Sequence, residues 1–263
     1  MKVALAQTQI DYESAEENLT IISNLCSKAR SKGADTIIFP EYSVTGPLRG
    51  KKYTGESFGF YLNSLSKIAK KYSIDLVPGS LIESDLGRQF NTTIYLDKNG
   101  ALLHKYRKIN LWHGEKSVLS PGESISVFRT SFGLCGLAIC WDIMNPTLFR
   151  QMAKAGAKYI FVPSFWSDYG KVNTKYEVKN INTLCYARAL ENECAIIFSN
   201  AAGACGSAKK DDHLVGHSQV SVPIKDKIKI IPHNSVALEI IEIPEAPFKR
   251  AAKVYKIRES ILD

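Results

Sequence analysis

The sequence has no apolar run long enough to span a membrane, and its opening residues, Met-Lys-Val-Ala-Leu-Ala-Gln, turn polar at Gln7 before a secretion signal's apolar core is complete. No Cys-x-x-C pair occurs, and neither its six cysteines nor its five histidines cluster at zinc-site spacing. Gly/Ser linkers, internal repeats and low-complexity stretches are missing, as are RNP, helix-turn-helix and finger patterns. These absences point to a soluble cytoplasmic protein with one domain over 1–263. No disulfides are expected in that setting, and Cys26, Cys135, Cys185, Cys194 and Cys205 are expected mostly as small buried hydrophobes.

With 263 residues and 45% hydrophobic content, the chain closes one large core. The net charge of +8 is spread thinly, over Lys51-Lys52, Lys70-Lys71, Lys209-Lys210 and a C-terminal group from Lys249 to Arg258. Such thin spreading fits a solvated surface, so neither a nucleic-acid nor a membrane partner is expected.

Apolar periodicity predicts strands at Lys2–Gln9, Thr36–Phe39, Asp75–Leu81, Phe90–Leu96, Leu102–Tyr106, Ile125–Arg129, Leu134–Ile139, Tyr159–Val162, Ala195–Ser199, Gln219–Val222 and Ala237–Ile243. Helices are predicted at Ser14–Lys32, Ser57–Tyr72, Pro146–Ala155 and Lys175–Glu191, with a core over about 2–243 and a C-terminal helical extension at 246–260. Intermixed helices and strands give an α/β (α+β) class. Asp97-Lys98-Asn99-Gly100 is a hairpin signal, so the sheet is mixed. Ala201–Asp212 reads as a mobile loop.

Three segments bear chemistry. In Phe39-Pro40-Glu41 a carboxylate follows a buried strand, where α/β sheets build sites, although a lone Glu there also reads as a cap or a surface charge. In His104-Lys105-Tyr106-Arg107-Lys108 a basic run follows a strand, which alone reads as a solvated edge. In Gly133-Leu-Cys-Gly-Leu-Ala-Ile-Cys140-Trp141-Asp142, strand alternation puts Cys140 on one face with Gly136 and Ala138. Its sulfur would sit at the strand tip, where a following helix N-terminus lowers a thiol's pKa. Alone, this segment reads sooner as a buried structural thiol.

Together the segments resemble the nitrilase superfamily of carbon–nitrogen hydrolases, whose Glu–Lys–Cys triad lies in these contexts and in this order. Supporting matches are Pro163-Ser164, Arg188-Ala-Leu-Glu191-Asn192, Ser199-Asn200 and Gly216-His217-Ser218, so the resemblance runs from about Lys2 to Ile243. It implies a four-layer α-β-β-α sandwich and a homodimer or higher homo-oligomer. It also implies Cys140 as nucleophile, Glu41 as base, and Lys108 with the backbone N–H of Trp141 as oxyanion donors. No metal or organic cofactor is implied. Glu115 is a second carboxylate near the lysine, and Asp142 braces the turn below Cys140. Tyr42, Trp112, Phe165 and Trp166 are candidate pocket walls, which would favour an apolar or flat substrate. His104, His113 and His217 read as structural or loop residues.

The segment after Cys140 bears on the substrate. Ile143-Met144 offers no paired arginines to clamp a carboxylate, which disfavours N-carbamoyl amino acids. Small-amide hydrolysis through a Cys140 thioester is the first expectation. Trp141 also fits nitrile-cleaving members, which keeps a nitrile substrate open. A catalytically silent binding or scaffold member is the alternative from another class.

Overall fold

In the computed structural model, residues 1–47, 55–168, 174–204 and 213–261 are described. Lys51-Lys52, Lys209-Lys210, Cys205 and the stretch 205–212 of the expected loop lie outside them.

The chain begins with β1 (Lys2–Gln7), α1 (Ala15–Ser31), β2 (Thr36–Ile38), α2 (Gly55–Tyr72), β3 (Asp75–Val77), β4 (Ser80–Asp85), β5 (Arg88–Leu96) and β6 (Leu102–Arg107). It continues through β7 (Val127–Thr130), β8 (Gly133–Leu137), a 3-10 turn (Cys140–Met144), α3 (Pro146–Lys154), β9 (Tyr159–Ser164) and α4 (Thr174–Asn192). Then come β10 (Ala195–Asn200), β11 (Ala202–Ala204), β12 (His213–Val215), β13 (Gln219–Val222), β14 (Asp226–Ile230), β15 (Ala237–Glu242), α5 (Ala246–Val254) and α6 (Ile257–Ile261).

One sheet has the order β15-β1-β2-β3-β5-β4, with β6 on β5; the other runs β14-β13-β10-β9-β8-β7. Each mixes parallel and antiparallel pairs, as the hairpin signal implied. Alternation then fixes the layers. Ala4 and Ala6 of β1 pack with Ile37 and Leu76 against Ile22 and Cys26 of α1 and Leu65 and Ala69 of α2. Val3 and Leu5 face the other way, into a cluster with Leu137, Phe161 and Ile197 of the second sheet. Tyr95 of β5 meets Phe161 of β9 there, ring centroids 5.7 Å apart. Phe149 and Met152 of α3 and Ile181 and Cys185 of α4 cover the second sheet. The order is helices, sheet, sheet, helices: the expected four-layer sandwich.

Some elements differ from the expectation. The strand expected at Asp75–Leu81 is two, because Gly79 (φ 84°) turns the chain where a Cβ would lie 1.9 Å from the Pro40 carbonyl oxygen. β4 and β5 form a hairpin over Leu86 (φ 46°) and Gly87 (φ 75°), hidden in sequence because leucine is rare at a positive φ. Ala202–Ala204, inside the expected loop, pairs with β12. The C-terminal extension is two helices, broken at Lys256 (φ 50°). Among the described residues, no helix is long and apolar enough to cross a membrane.

Candidate active site

Strand ends of both sheets meet at one place. The first sheet supplies Glu41, three residues past β2, and Lys108, directly past β6. The second supplies Cys140, past β8, and Ser164, the last residue of β9. The backbone N–H of Glu41 donates to the Ser164 carbonyl (3.2 Å), joining the two halves. Along β6, Lys105 and Arg107 turn outward to Glu83, at 2.6 and 2.8 Å. Tyr106 and Lys108 turn inward and are buried. The basic run is therefore an edge on one face only.

Lys108 is 1% exposed and holds two carboxylates, Glu41 Oε1 at 2.9 Å and Glu115 Oε2 at 2.8 Å. Burial works against its charge, yet the two glutamates hold its pKa above the ordinary lysine value. The carboxylates differ. Glu41 is 2% exposed, and burial pushes its pKa up, against the pull of Lys108 and with a further push from Glu115. Burial pushes on Glu115 too, but Lys108 and hydrogen bonds from the Tyr42 hydroxyl (2.6 Å) and the Trp112 backbone N–H (2.7 Å) bring its pKa down. Two titratable groups pushed apart by their surroundings are how a site separates its acid–base work. The surroundings thus raise the pKa of Glu41 and lower that of Glu115.

Cys140 is the first residue of the 3-10 turn, at φ 45°, a strained value for a residue with a side chain. Strand pairing of β8 ends at Leu137, so the turn, not alternation, sets the direction of the sulfur. The expected lowering by a helix N-terminus is corrected. Only a five-residue turn starts at Cys140, and α3 begins at Pro146. Burial, then the charge of Glu41, pushes the thiol's pKa up, against Lys108, the Ser164 hydroxyl (3.3 Å) and the Phe165 backbone N–H. Burial and the charge of Glu41 thus favour the neutral thiol over the thiolate.

Asp142 braces the turn. Its fully buried carboxylate accepts from Tyr106 Oη (2.8 Å), the Ile139 N–H (2.9 Å), and Asn110 through both the backbone N–H (2.8 Å) and the side-chain amide (2.9 Å). From α4, Arg188 Nε donates to the Ile143 carbonyl at 3.0 Å and ties the turn's far side.

Of the four expected pocket aromatics, Trp112 and Trp166 line a cavity, beside Trp141. Tyr42 is buried, and its hydroxyl lies between Glu115 and Asn91. Phe165 packs edge-on against Tyr12 and Tyr42. His104 stacks on Phe128, centroids 4.8 Å apart, a packing role. Sequence reading missed Asn91, whose Nδ2 lies 2.7 Å from Glu41 and 2.8 Å from Glu115. The signal available was an asparagine inside a strand, where that residue is depleted. Asn110 and Arg188 were missed as braces because their partners are 32 and 45 residues away.

The carbon–nitrogen hydrolase family matches residues 2–232. The chain belongs to this family. It is a hydrolase of carbon–nitrogen bonds other than peptide bonds. It is similar to omega-amidase NIT2 of Mus musculus, 32% identical over 241 residues, covering 84% of this chain and 81% of that protein. A carbon–nitrogen hydrolase from Helicobacter pylori shares the fold at TM-score 0.90 and 21% identity, covering 98% of this chain and 94% of the other. So does an amidase variant from Nesterenkonia sp. AN1 bearing the acetamide moiety of fluoroacetamide on its active-site cysteine. Its TM-score is 0.83 at 24% identity, covering 95% of this chain and 92% of that one.

Proposed function

We propose that this carbon–nitrogen hydrolase is a small-amide amidohydrolase working through a thioester on Cys140. The observation that carries the reading is buried Lys108 holding Glu41 at 2.9 Å and Glu115 at 2.8 Å, with the charges of Glu41 and Lys108 acting on Cys140. Glu41 takes the Cys140 proton as the sulfur attacks the amide carbon, because the thiolate is the nucleophile. Charge moves onto the amide oxygen. Lys108 spends two N–H groups on glutamates, and an ammonium has a third to offer. The Trp141 N–H, the first after Cys140 in a turn whose opening N–H groups lack internal partners, is the second donor. Each donor of this kind lowers the barrier by roughly 3 kcal/mol.

Protonated Glu41 then gives its proton to the departing nitrogen, and ammonia leaves. Glu41 next takes a proton from water, whose oxygen attacks the thioester. The carboxylic acid departs, and the proton returns to sulfur. The balance is one amide and one water in, one acid and one ammonia out. The omega-amidase name of its relatives supports an amide over a nitrile.

The reading includes a cytoplasmic homodimer. The described cysteines are free thiols, which suits a reducing compartment, and the resembled family commonly dimerises. Sedimentation velocity tests the dimer. Ammonia release from amides and nitriles tests the chemistry. Amide turnover is expected, and nitrile turnover in its place would move the chain to the nitrile-cleaving reading.

A further inference from the structure

Beside these residues lies a cavity of about 550 Å3, and all three tryptophans of the chain line it with Met144 and Leu184. Each of the three neighbours a site residue through the chain or its backbone. Trp141 follows Cys140, Trp112 donates its backbone N–H to Glu115, and Trp166 lies two residues beyond Ser164. The rings of Trp141 and Trp166 lie 5.5 Å apart, tilted by 43°. Glu41, Lys108 and Cys140 are not among the cavity's lining residues; Trp141, the chain neighbour of Cys140, links the cavity to the site.

The charges are as telling. Glu177 of α4 borders the cavity half-buried, its carboxylate held by Trp166 Nε1 at 2.7 Å. Lys179 borders it too, but that side chain is exposed and stands two residues along the helix, where side chains do not face each other. Met144, in the turn that starts at Cys140, brings an uncharged side chain to the same wall.

We infer that this cavity is an acyl subsite for an uncharged, flat, apolar group, above all an aromatic ring, and that it rejects amides bearing a carboxylate on the acyl chain. The inference rests on the amide-hydrolase reading. A ring finds indole faces and edges there. A carboxylate would shed its water against the same indoles, beside a fixed charge of its own sign.

The test is kcat/KM for phenylacetamide, propionamide and succinamate, together with quenching of tryptophan fluorescence by each in the Cys140→Ala protein. Phenylacetamide is expected to exceed succinamate by roughly 100-fold and to quench where succinamate does not. Met144→Arg places a guanidinium on the cavity wall and is expected to narrow that ratio roughly tenfold. Lys179→Gln removes a cation bordering the cavity and tests whether it recruits a carboxylate. Preference for succinamate, equal turnover of all three amides, or selective loss of succinamate turnover in Lys179→Gln overturns the inference and leaves amide hydrolysis standing. Failure of all three amides to react or to modify Cys140 removes the amide reading, and the subsite with it.

Discussion

At the scale of single residues, the candidate site sets two carboxylates on one lysine and shifts their pKa values in opposite directions. Because burial and Glu115 raise the pKa of Glu41, the acid limb of kcat/KM is expected above 4.5, the ordinary glutamate value. In the proposed mechanism deprotonated Glu41 is the active form, so activity is expected to fall as pH drops through that limb. Glu115→Gln removes a negative neighbour, and the limb is expected to move to lower pH, with kcat reduced roughly 100-fold as Lys108 loses a fixed partner. A pH–rate profile of the two proteins checks this; a limb that stays in place means Glu115 does not tune Glu41. That Glu41, Lys108 and Cys140 meet was legible in sequence, because they sit in motifs whose order is informative together. The division of labour was not, since it depends on Tyr42, Asn91 and the Trp112 backbone converging on the glutamates from distant segments.

At the scale of elements, the turn after β8 and the β4–β5–β6 ribbon hold the chemistry in place. Asp142→Asn turns an acceptor-only group into one carrying two donors among groups that themselves donate. A loss of about 3 kcal/mol is expected in urea unfolding, with kcat falling more than KM changes because the Cys140 turn shifts. Glu83 is the ribbon's counterion. Burial pushes against its charge, but Arg107, Lys105 and Thr92 bring its pKa down to about 2. A depressed carboxylate stabilises fully above its unfolded value and loses that contribution as pH falls toward the folded one. Glu83→Gln is therefore expected to cost about 2 kcal/mol at neutral pH. The gap from wild type should shrink as pH drops from 4.5 toward 2. Thermal melts over that range measure it, and a gap that widens on acidification contradicts the role. The basic run of this ribbon was read as an edge, which does not hold for Lys108 but holds for Lys105 and Arg107. Their partner Glu83 lay unseen because Leu86-Gly87 hides the hairpin that brings it there.

At the scale of the whole molecule, the site exists only where two sheets are pressed together. Glu41 and Lys108 come from one sheet, Cys140 and Ser164 from the other, and Phe161 and Tyr95 fill the seam between them. Phe161→Ala is expected to cost about 4 kcal/mol and to lower kcat at temperatures where the protein is still folded. Equilibrium unfolding and activity assays on one sample check both halves, and full activity in a destabilised protein would separate the site from the seam. Helix and strand periods made the α/β class legible, and family resemblance supplied the sandwich. Alternation alone fits a covered sheet and does not say whether helices or a second sheet cover it.

The central claim is a covalent acyl group on Cys140. Rapid quenching of the enzyme with an amide, followed by intact-mass and peptide-mass measurement, tests it most directly. The thioester reading predicts an acyl adduct confined to the Cys140 peptide, formed with one equivalent of ammonia and missing in Cys140→Ala, which turns nothing over. Ammonia release by Cys140→Ala at the wild-type rate, or an adduct on another residue, would contradict it.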